Sequence, residues 1–369
     1  MLVVRIIFAT LVGLLPASVA AEKCVPLHEP IALRLGGFDA RGEIERPGAG
    51  MPIRGLAVMF AGSDVADLNG TIVDTQDRVV SQPMRQIADR LACAGIASIR
   101  YNKRFVTGPA SVDRPRFDRL NGSDLAADGR TALAFARSRE DLAAAPLILI
   151  GWSEGTTVAM ALAHDQPPPR AIVLIAPVIT SMAATVQAQY LRVGKPYLER
   201  YATAAGLDAA AVARADAGPG GVLAHVFVRM FRGFKPGEQL NPLLDRNQDG
   251  RITFAEADPI IAGWYADGPD GGLGMAATGR ALPGLATSIV DTTMPILVLQ
   301  GSNDAMVDPK IVGDFASRTP PKRRLTLWRY ERPGHSLGRA DTALNDALLP
   351  IEPKPLNDMV GWLQKILPR

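Results

Sequence analysis

An α/β fold is predicted for this 369-residue sequence: a mostly parallel sheet of about eight strands, helices on both faces, and a mainly helical insertion. Three observations predict it. Short continuous apolar runs recur along the chain, helical patterns separate them, and the alternation stops near Val178 and resumes at Met294. Continuous apolar runs suit strands covered on both faces, as parallel strands are.

The first residues lie outside this scheme. Arg5 gives a minimal positive start, Ile6–Leu15 is apolar, Pro16 breaks the run, and "ASVAA" offers small residues for cleavage after Ala20 or Ala21. That is the pattern of a secretory signal peptide, residues 1–21. The run is short for a membrane span, and no later segment is long and apolar enough to cross a bilayer. The mature chain is expected to be periplasmic or secreted. Cys24 and Cys93 are the only cysteines. In an oxidising compartment an even count permits one disulfide between the mature N-terminus and the helix that holds Cys93.

"IALRLGGFDARGEIERP" reads as an antiparallel hairpin at one sheet edge. The buried runs are Gly55–Gly62, Ile96–Tyr101, Pro146–Trp152, Ala171–Pro177, Pro295–Gly301 and Leu325–Tyr330. Helical spacing marks Gln82–Ala94, Ser123–Arg139, with Ser123 as a candidate N-cap, and Glu154–His164. The predicted division is core 22–177, insertion 178–293 and core 294–369. At 47% hydrophobic and 21% charged residues the composition is globular. The net charge of +3 comes from 40 basic and 37 acidic residues without a basic stripe, which argues against nucleic acid as a partner.

"GWSEG", Gly151–Gly155, follows an apolar run and opens a helical pattern. Glycines on either side allow a tight strand-to-helix turn that lifts the Ser153 hydroxyl above the sheet end, at the positive end of the next helix. A serine nucleophile needs a base, and there are four histidines. His28 is near the N-terminus, His164 ends the helix after the turn, and His225 is in the insertion. His335, in "ERPGHSLG" after the last run, is placed to return over the sheet edge. The base needs an anionic partner. Asp304 lies just past the run Pro295–Gly301, whereas Asp308, before Pro309, suits a helix N-cap. Two N–H donors must face the developing oxyanion. The amides of Glu154, next to the nucleophile, and of Ser63, in "FAGSD", are the candidates.

With these residues in place the chain resembles the α/β-hydrolase superfamily, in its exported esterase and serine-peptidase-like branch. "FAGSD", "RLACAGIASIRYNKR", "DLAADGRTALAFAR" and "ILIGWSEGTTVAMALA" carry the resemblance, which spans Leu27–Pro177 and Pro295–Leu367. It implies an eight-stranded, mostly parallel sheet and a nucleophilic serine mechanism. The order Ser153, Asp304, His335 is the one that this fold uses. There are two departures. Phe60-Ala61-Gly62 stands where many members have His-Gly, and "KRF", Lys103–Phe105, replaces the usual glycine after the basic pair.

The insertion carries a second motif, "DRNQDGRITFAE", residues 245–256. It matches an EF-hand calcium loop: Asp245, Asn247 and Asp249 at positions one, three and five, Gly250 at six, the Arg251 carbonyl at seven, Thr253 at nine and Glu256 at twelve. Leu243 and Leu244 are expected on an entering helix, and Pro259 should shorten or kink the exiting one. No second such loop is apparent. A structural Ca2+ within a lid is the expected cofactor. Tyr190, Tyr197, Phe227, Met230, Phe231, Phe234, Trp264 and Tyr265 are candidates for an apolar pocket or, more simply, for the insertion's own core.

The expected activity is carboxylic-ester hydrolysis, on a small-molecule ester or short peptide substrate. The alternatives are a peptidase or amidase of the same chemistry, and a non-catalytic calcium-dependent binding protein on a hydrolase scaffold.

Overall fold

The computed structural model describes residues 24–368, apart from 64, 75, 110, 166, 234–238, 265–280 and 322–323. The predicted signal peptide lies outside the described residues, as do Phe234 and Tyr265.

Eight strands form one sheet: β1 (Leu27–Leu35), β2 (Phe38–Arg46), β3 (Gly55–Phe60), β4 (Ile96–Tyr101), β5 (Leu147–Trp152), β6 (Ala171–Ile175), β7 (Ile296–Gly301) and β8 (Leu325–Tyr330). Their spatial order is β1-β2-β4-β3-β5-β6-β7-β8. β1 and β2 form the antiparallel edge hairpin, and β2 meets β4 antiparallel. Every later pairing is parallel. This is the α/β-hydrolase fold.

The apolar runs are continuous because each central strand feeds two cores. Leu56, Val58 and Phe60 of β3 and Leu147 and Leu149 of β5 point to one face. The alternate residues Ala57, Met59, Ile148 and Ile150 point to the other, as the two-residue period of a strand requires. The first face is covered by α2 (Gly122–Arg137) and α3 (Gly155–Leu162), and the second by α1 (Pro83–Ala92) and the C-terminal α10 (Pro353–Ile366). α9 (Pro309–Arg318) sends Val312 into the first core. The N-cap of α2 is Asn121 rather than Ser123. Asn121 has extended backbone and accepts from the Asp124 amide, while the Asp124 carboxylate accepts from the Asn121 amide. This reciprocal pair satisfies two donors and leaves Ser123 inside the first turn.

Between β6 and β7 lie α4 (Met182–Gln189), a π-helical turn (Tyr190–Gly194), α5 (Lys195–Glu199), α6 (Ala209–Asp216), α7 (Val222–Phe231) and α8 (Phe254–Trp264). These enclose an apolar cluster of their own, including Tyr190, Tyr197, Phe227, Met230 and Phe231, with Trp264 packed at its margin. Those of the residues considered for a pocket that are described therefore fill or border the insertion's core. In the π turn the Lys195 amide bonds the Tyr190 carbonyl, five residues back. The following Pro196 has no N–H to continue the ordinary ladder. Pro259 lies inside α8, yet the helix runs on to Trp264.

Cys24 and Cys93 form a disulfide, with Cα atoms 5.6 Å apart, that ties the segment before β1 to the end of α1. No helix among the described residues is long and apolar enough to cross a membrane.

Candidate active site

β5 ends at Trp152 and α3 begins at Gly155, so Ser153 sits at the turn with a φ of 54°. Left-handed backbone is costly for a residue with a side chain and persists where the surroundings impose it. Here the flanking glycines let the backbone close in. A Cβ on Gly155 would lie 2.1 Å from the Phe60 carbonyl oxygen, and one on Gly151 would lie 2.4 Å from the Gly155 carbonyl oxygen. The Ser153 amide is bonded to the Ile175 carbonyl at 2.9 Å, which fixes the turn to β6.

His335 arrives on the loop after β8. Its Nδ1 is 2.9 Å from Oδ1 and 3.1 Å from Oδ2 of Asp304. Both residues are buried. The amides of Met306 and Val307 donate to Asp304 Oδ1 at 2.8 and 2.9 Å, and Gln300 Nε2 donates to Oδ2 at 2.8 Å. Asp308 caps α9 by accepting from the Lys310 amide at 2.9 Å. Burial opposes the His335 imidazolium, but the charge and hydrogen bond of Asp304, aided by the charge of Asp346, outweigh it and hold the imidazole pKa above its ordinary value.

Ser153 and His335 line one cavity of about 130 Å³ together with Ser63 and Gly62. Trp152 fixes the histidine loop: its Nε1 donates to the His335 carbonyl at 3.0 Å, and its ring stands 5.6 Å from the imidazole centroid. A Cβ on Gly62 would be 3.3 Å from the Ser153 Cβ, so the loop after β3 presses directly on the turn. Among the described residues, no protein group accepts from the amides of Ser63 or Glu154. The Glu154 side chain is buried and accepts from Lys103 Nζ at 2.7 Å. The "NKR" segment therefore braces the turn from below.

Some residues at this site carried no sequence signal. Gln300 is one, whereas Lys103 was visible only as part of the "RYNKR" resemblance, with no role attached. Asp346 is another: it is buried, its Oδ2 accepts from the amides of His335 at 2.7 Å and Ala305 at 3.3 Å, and its Oδ1 accepts from the Leu348 amide at 3.2 Å. Burial and the nearby Asp304 charge raise its pKa, while the amide bonds lower it. One trace was visible, the glycine before the histidine. A Cβ on Gly334 would meet the Asp346 carboxylate at 2.3 Å.

The loop 245–256 is placed apart from the cavity. Asp245 Oδ2 accepts from the Gly250 amide at 3.1 Å, Asn247 Oδ1 from the Asp249 amide at 2.9 Å, and Asp249 Oδ1 from the Arg251 amide at 2.9 Å. Gln248 and Gly250 have positive φ. Asp245 Oδ1 is buried without a hydrogen-bond partner among the described residues. Glu256 accepts from the Thr253 amide and hydroxyl at 3.0 and 2.7 Å, bonds that hold its carboxyl below its ordinary range. The residues expected on an entering helix form a turn instead, with Leu244 buried and Leu243 exposed. Arg251–Ile252 pairs antiparallel with Leu207–Asp208, which leads into α6. The connection between α5 and α6 thus backs the loop 245–256, and Asp208, which caps α6, is its one carboxylate.

The π turn connects this loop to the cavity wall. Asp258 of α8 accepts from the Tyr190 hydroxyl at 2.7 Å and from Lys195 Nζ at 2.6 Å. On the other side, Arg192 Nη2 donates to the Asp304 carbonyl at 3.0 Å, and Gln189 Nε2 to the Met306 carbonyl at 3.0 Å.

The profile of the family described as serine aminopeptidase, S33, matches residues 80–339. No curated protein matches the sequence. Among solved structures, proline iminopeptidase from Mycobacterium smegmatis is similar at 15% identity and a TM-score of 0.50, over 92% of this chain and 98% of that one. An esterase from Pyrococcus furiosus gives 10%, 0.49, 92% and 90%. Est1E from Butyrivibrio proteoclasticus gives 11%, 0.48, 91% and 98%. At such identities the likeness is one of fold.

Proposed function

This chain belongs to the serine aminopeptidase S33 family of α/β serine hydrolases, and on that premise we propose that it is an exported carboxylic-ester hydrolase acting through Ser153, His335 and Asp304. The observation that favours an ester over an N-terminal aminoacyl substrate is the cavity wall. Val65, Ile72, Trp152, Met306 and Leu348 surround the reacting groups, and among the described residues the wall holds no carboxylate to receive an α-ammonium group. A neutral acyl group meets no unpaired charge there.

In this reading His335, oriented through Nδ1 by Asp304, takes the Ser153 proton through Nε2 as the hydroxyl attacks the ester carbonyl. The Ser63 and Glu154 amides receive the oxyanion. His335 then protonates the leaving alcohol, and water, activated by the same imidazole, releases the acid from the acyl-enzyme. Asp304 is already held by two amides and Gln300, so the ion pair forms with little reorganisation.

Residues 178–293 act as a lid in this proposal, and the loop 245–256 holds one calcium ion that keeps the lid in shape. Support comes from the side-chain turns of Asp245, Asn247 and Asp249 and from the orphaned Asp245 Oδ1, which suits a hard cation with oxygen ligands. Asp245, Asn247, Asp249, the Arg251 carbonyl and Glu256 would hold it, with Glu256 turning from Thr253. No catalytic step passes through the ion. The disulfide supports an extracytoplasmic location.

Fluorophosphonate labelling of Ser153, followed by a panel of p-nitrophenyl esters and aminoacyl p-nitroanilides, tests the proposal. Labelling with preferential ester turnover is expected. Faster anilide turnover would make the enzyme an aminopeptidase, and absence of labelling would make the chain a non-catalytic binding protein.

A further inference from the structure

Far from the cavity, the edge hairpin sets His28 directly opposite Glu45. Paired residues share a face, and Glu43, two residues along, shares it too. Asp89 reaches the same place from α1. One ligand atom each from His28, Glu45 and Asp89 lies within 4.8 Å of the others, the one such cluster among the described residues.

Glu45 is fully buried. Its Oε2 accepts from Arg100 Nη1 at 2.5 Å, but its Oε1 is buried with no donor among the described residues. The Asp89 carboxylate beside it is also an acceptor and cannot fill that role. Two carboxylates in this relation need either a proton or a cation between them. The imidazole also hydrogen-bonds the carboxylate of Glu43. His28 Nδ1 lies 3.1 Å from Glu43 Oε1 and 3.7 Å from Glu45 Oε2, adding a nitrogen donor that a shared proton does not need.

The local charge also favours a cation. Among the described residues, and with His28 uncharged as a ligand must be, Glu43, Glu45 and Asp89 face Arg100, bonded to both glutamates, and Arg85, 3.9 Å from Asp89. One negative charge is left over. An imidazole with two carboxylates is a donor set for zinc, which takes nitrogen and oxygen at about 2.0–2.2 Å. Calcium and magnesium prefer oxygen alone.

We propose that His28, Glu45 and Asp89 form a zinc site, independent of the calcium loop and of the active site. Its place in the chain gives it a role. Cys24 and Cys93 each stand four residues from a ligand, His28 and Asp89 respectively, and are joined by the disulfide. Metal and disulfide would clamp the same hairpin to the same helix.

The test uses the full mature chain with its disulfide intact, stripped with chelator, saturated with calcium and titrated calorimetrically with zinc chloride. One zinc per chain and a higher melting temperature are expected. His28→Ala, a change at a partly exposed side chain, should weaken binding by about tenfold or more with the fold preserved by circular dichroism, and Asp89→Asn should do the same. Glu256→Gln should leave zinc binding unchanged. Cobalt in place of zinc should give a visible absorption band that His28→Ala abolishes. Absence of zinc binding at micromolar concentration, which is what a shared proton would give, overturns the proposal. So does zinc binding that survives His28→Ala undiminished.

Discussion

Asp346 Oδ2 lies 2.7 Å from the amide nitrogen of His335 and 3.3 Å from that of Ala305, so one buried carboxylate ties the histidine loop to the loop that carries Asp304. It acts as a positioning group, and its charge is one of those that raise the His335 pKa.

The pH dependence follows. The base must be neutral, so the acid limb of kcat/KM should fall above the ordinary histidine value of 6.5. Stability runs the other way. A raised folded pKa stabilises the protein fully below the unfolded value, and that contribution is lost as pH rises through the folded one. Asp346→Asn removes the charge and sets an amide against backbone donors. The limb should move to lower pH, and kcat should drop by about ten- to a hundredfold, as loss of roughly 1–3 kcal/mol of hydrogen bonding gives. A merely structural residue would change melting without moving the limb.

The two aspartates after β7 should separate cleanly. Ser153→Ala and His335→Ala should lower kcat by several orders of magnitude with the fold intact. Asp304→Asn should cost about 10⁴-fold, since the amide favours the wrong tautomer. Asp308→Asn should cost at most about 1 kcal/mol of stability through the cap. Steady-state kinetics beside thermal melts decides it, and the reverse pattern would move the acid to Asp308.

How much of this was legible in the sequence depended on whether a residue's task leaves a local pattern. Strands such as Leu147–Trp152 did, because burial on both faces makes every position apolar. The Ser153 turn did, because its glycines are required by close contacts of the turn with itself and with the end of β3. Asp346 and Gln300 did not. Asp346 acts by accepting from amides of three irregular loop positions, and Gln300 by donating to Asp304 just past the strand end, and no spacing rule encodes either. The segment before α6 was missed for a different reason: Leu207–Asp208 pairs with the calcium-type loop through backbone, and Tyr201–Gly206 ahead of it carries none of the spaced carboxylates by which such loops are read. Ser123 reads as a cap from its residue type, but Asn121 is an equally good capping type, and only the backbone shows which lies outside the helix.

The disulfide should contribute to stability mainly through the unfolded chain. Its cysteines are 69 residues apart, for which loop-closure entropy gives about 4 kcal/mol. Intact-mass analysis after alkylation should find no free thiol in protein from an oxidising compartment. Cys93→Ser should lower the melting temperature by several degrees while leaving kcat close to wild type, because neither cysteine approaches the cavity. Two alkylated thiols in the folded protein would remove this clamp from the account.

Calcium removal should reach the chemistry only partially, and the route is specific. The loop 245–256 begins α8, whose Asp258 holds Tyr190 and Lys195 at either end of the π turn. That turn carries Arg192 against the Asp304 carbonyl, and Gln189 just ahead of it holds the Met306 carbonyl. At a free concentration about 100-fold above Kd, binding adds roughly 2.7 kcal/mol to the folded state, so chelation should lower the melting temperature by several degrees. Activity should fall by less than in the triad variants and return with calcium, because no catalytic group is a ligand. Glu256→Gln should mimic chelation and abolish the calcium response. Asp258→Asn should separate the two effects: calcium would still bind and still raise the melting temperature, but kcat would respond to it less, because the contact with the π turn is weakened. Calorimetric titration of the chelated protein, with kinetics on the same samples, distinguishes these outcomes. No heat of binding at millimolar calcium, with unchanged melting, would leave residues 245–256 as an acidic turn without a metal.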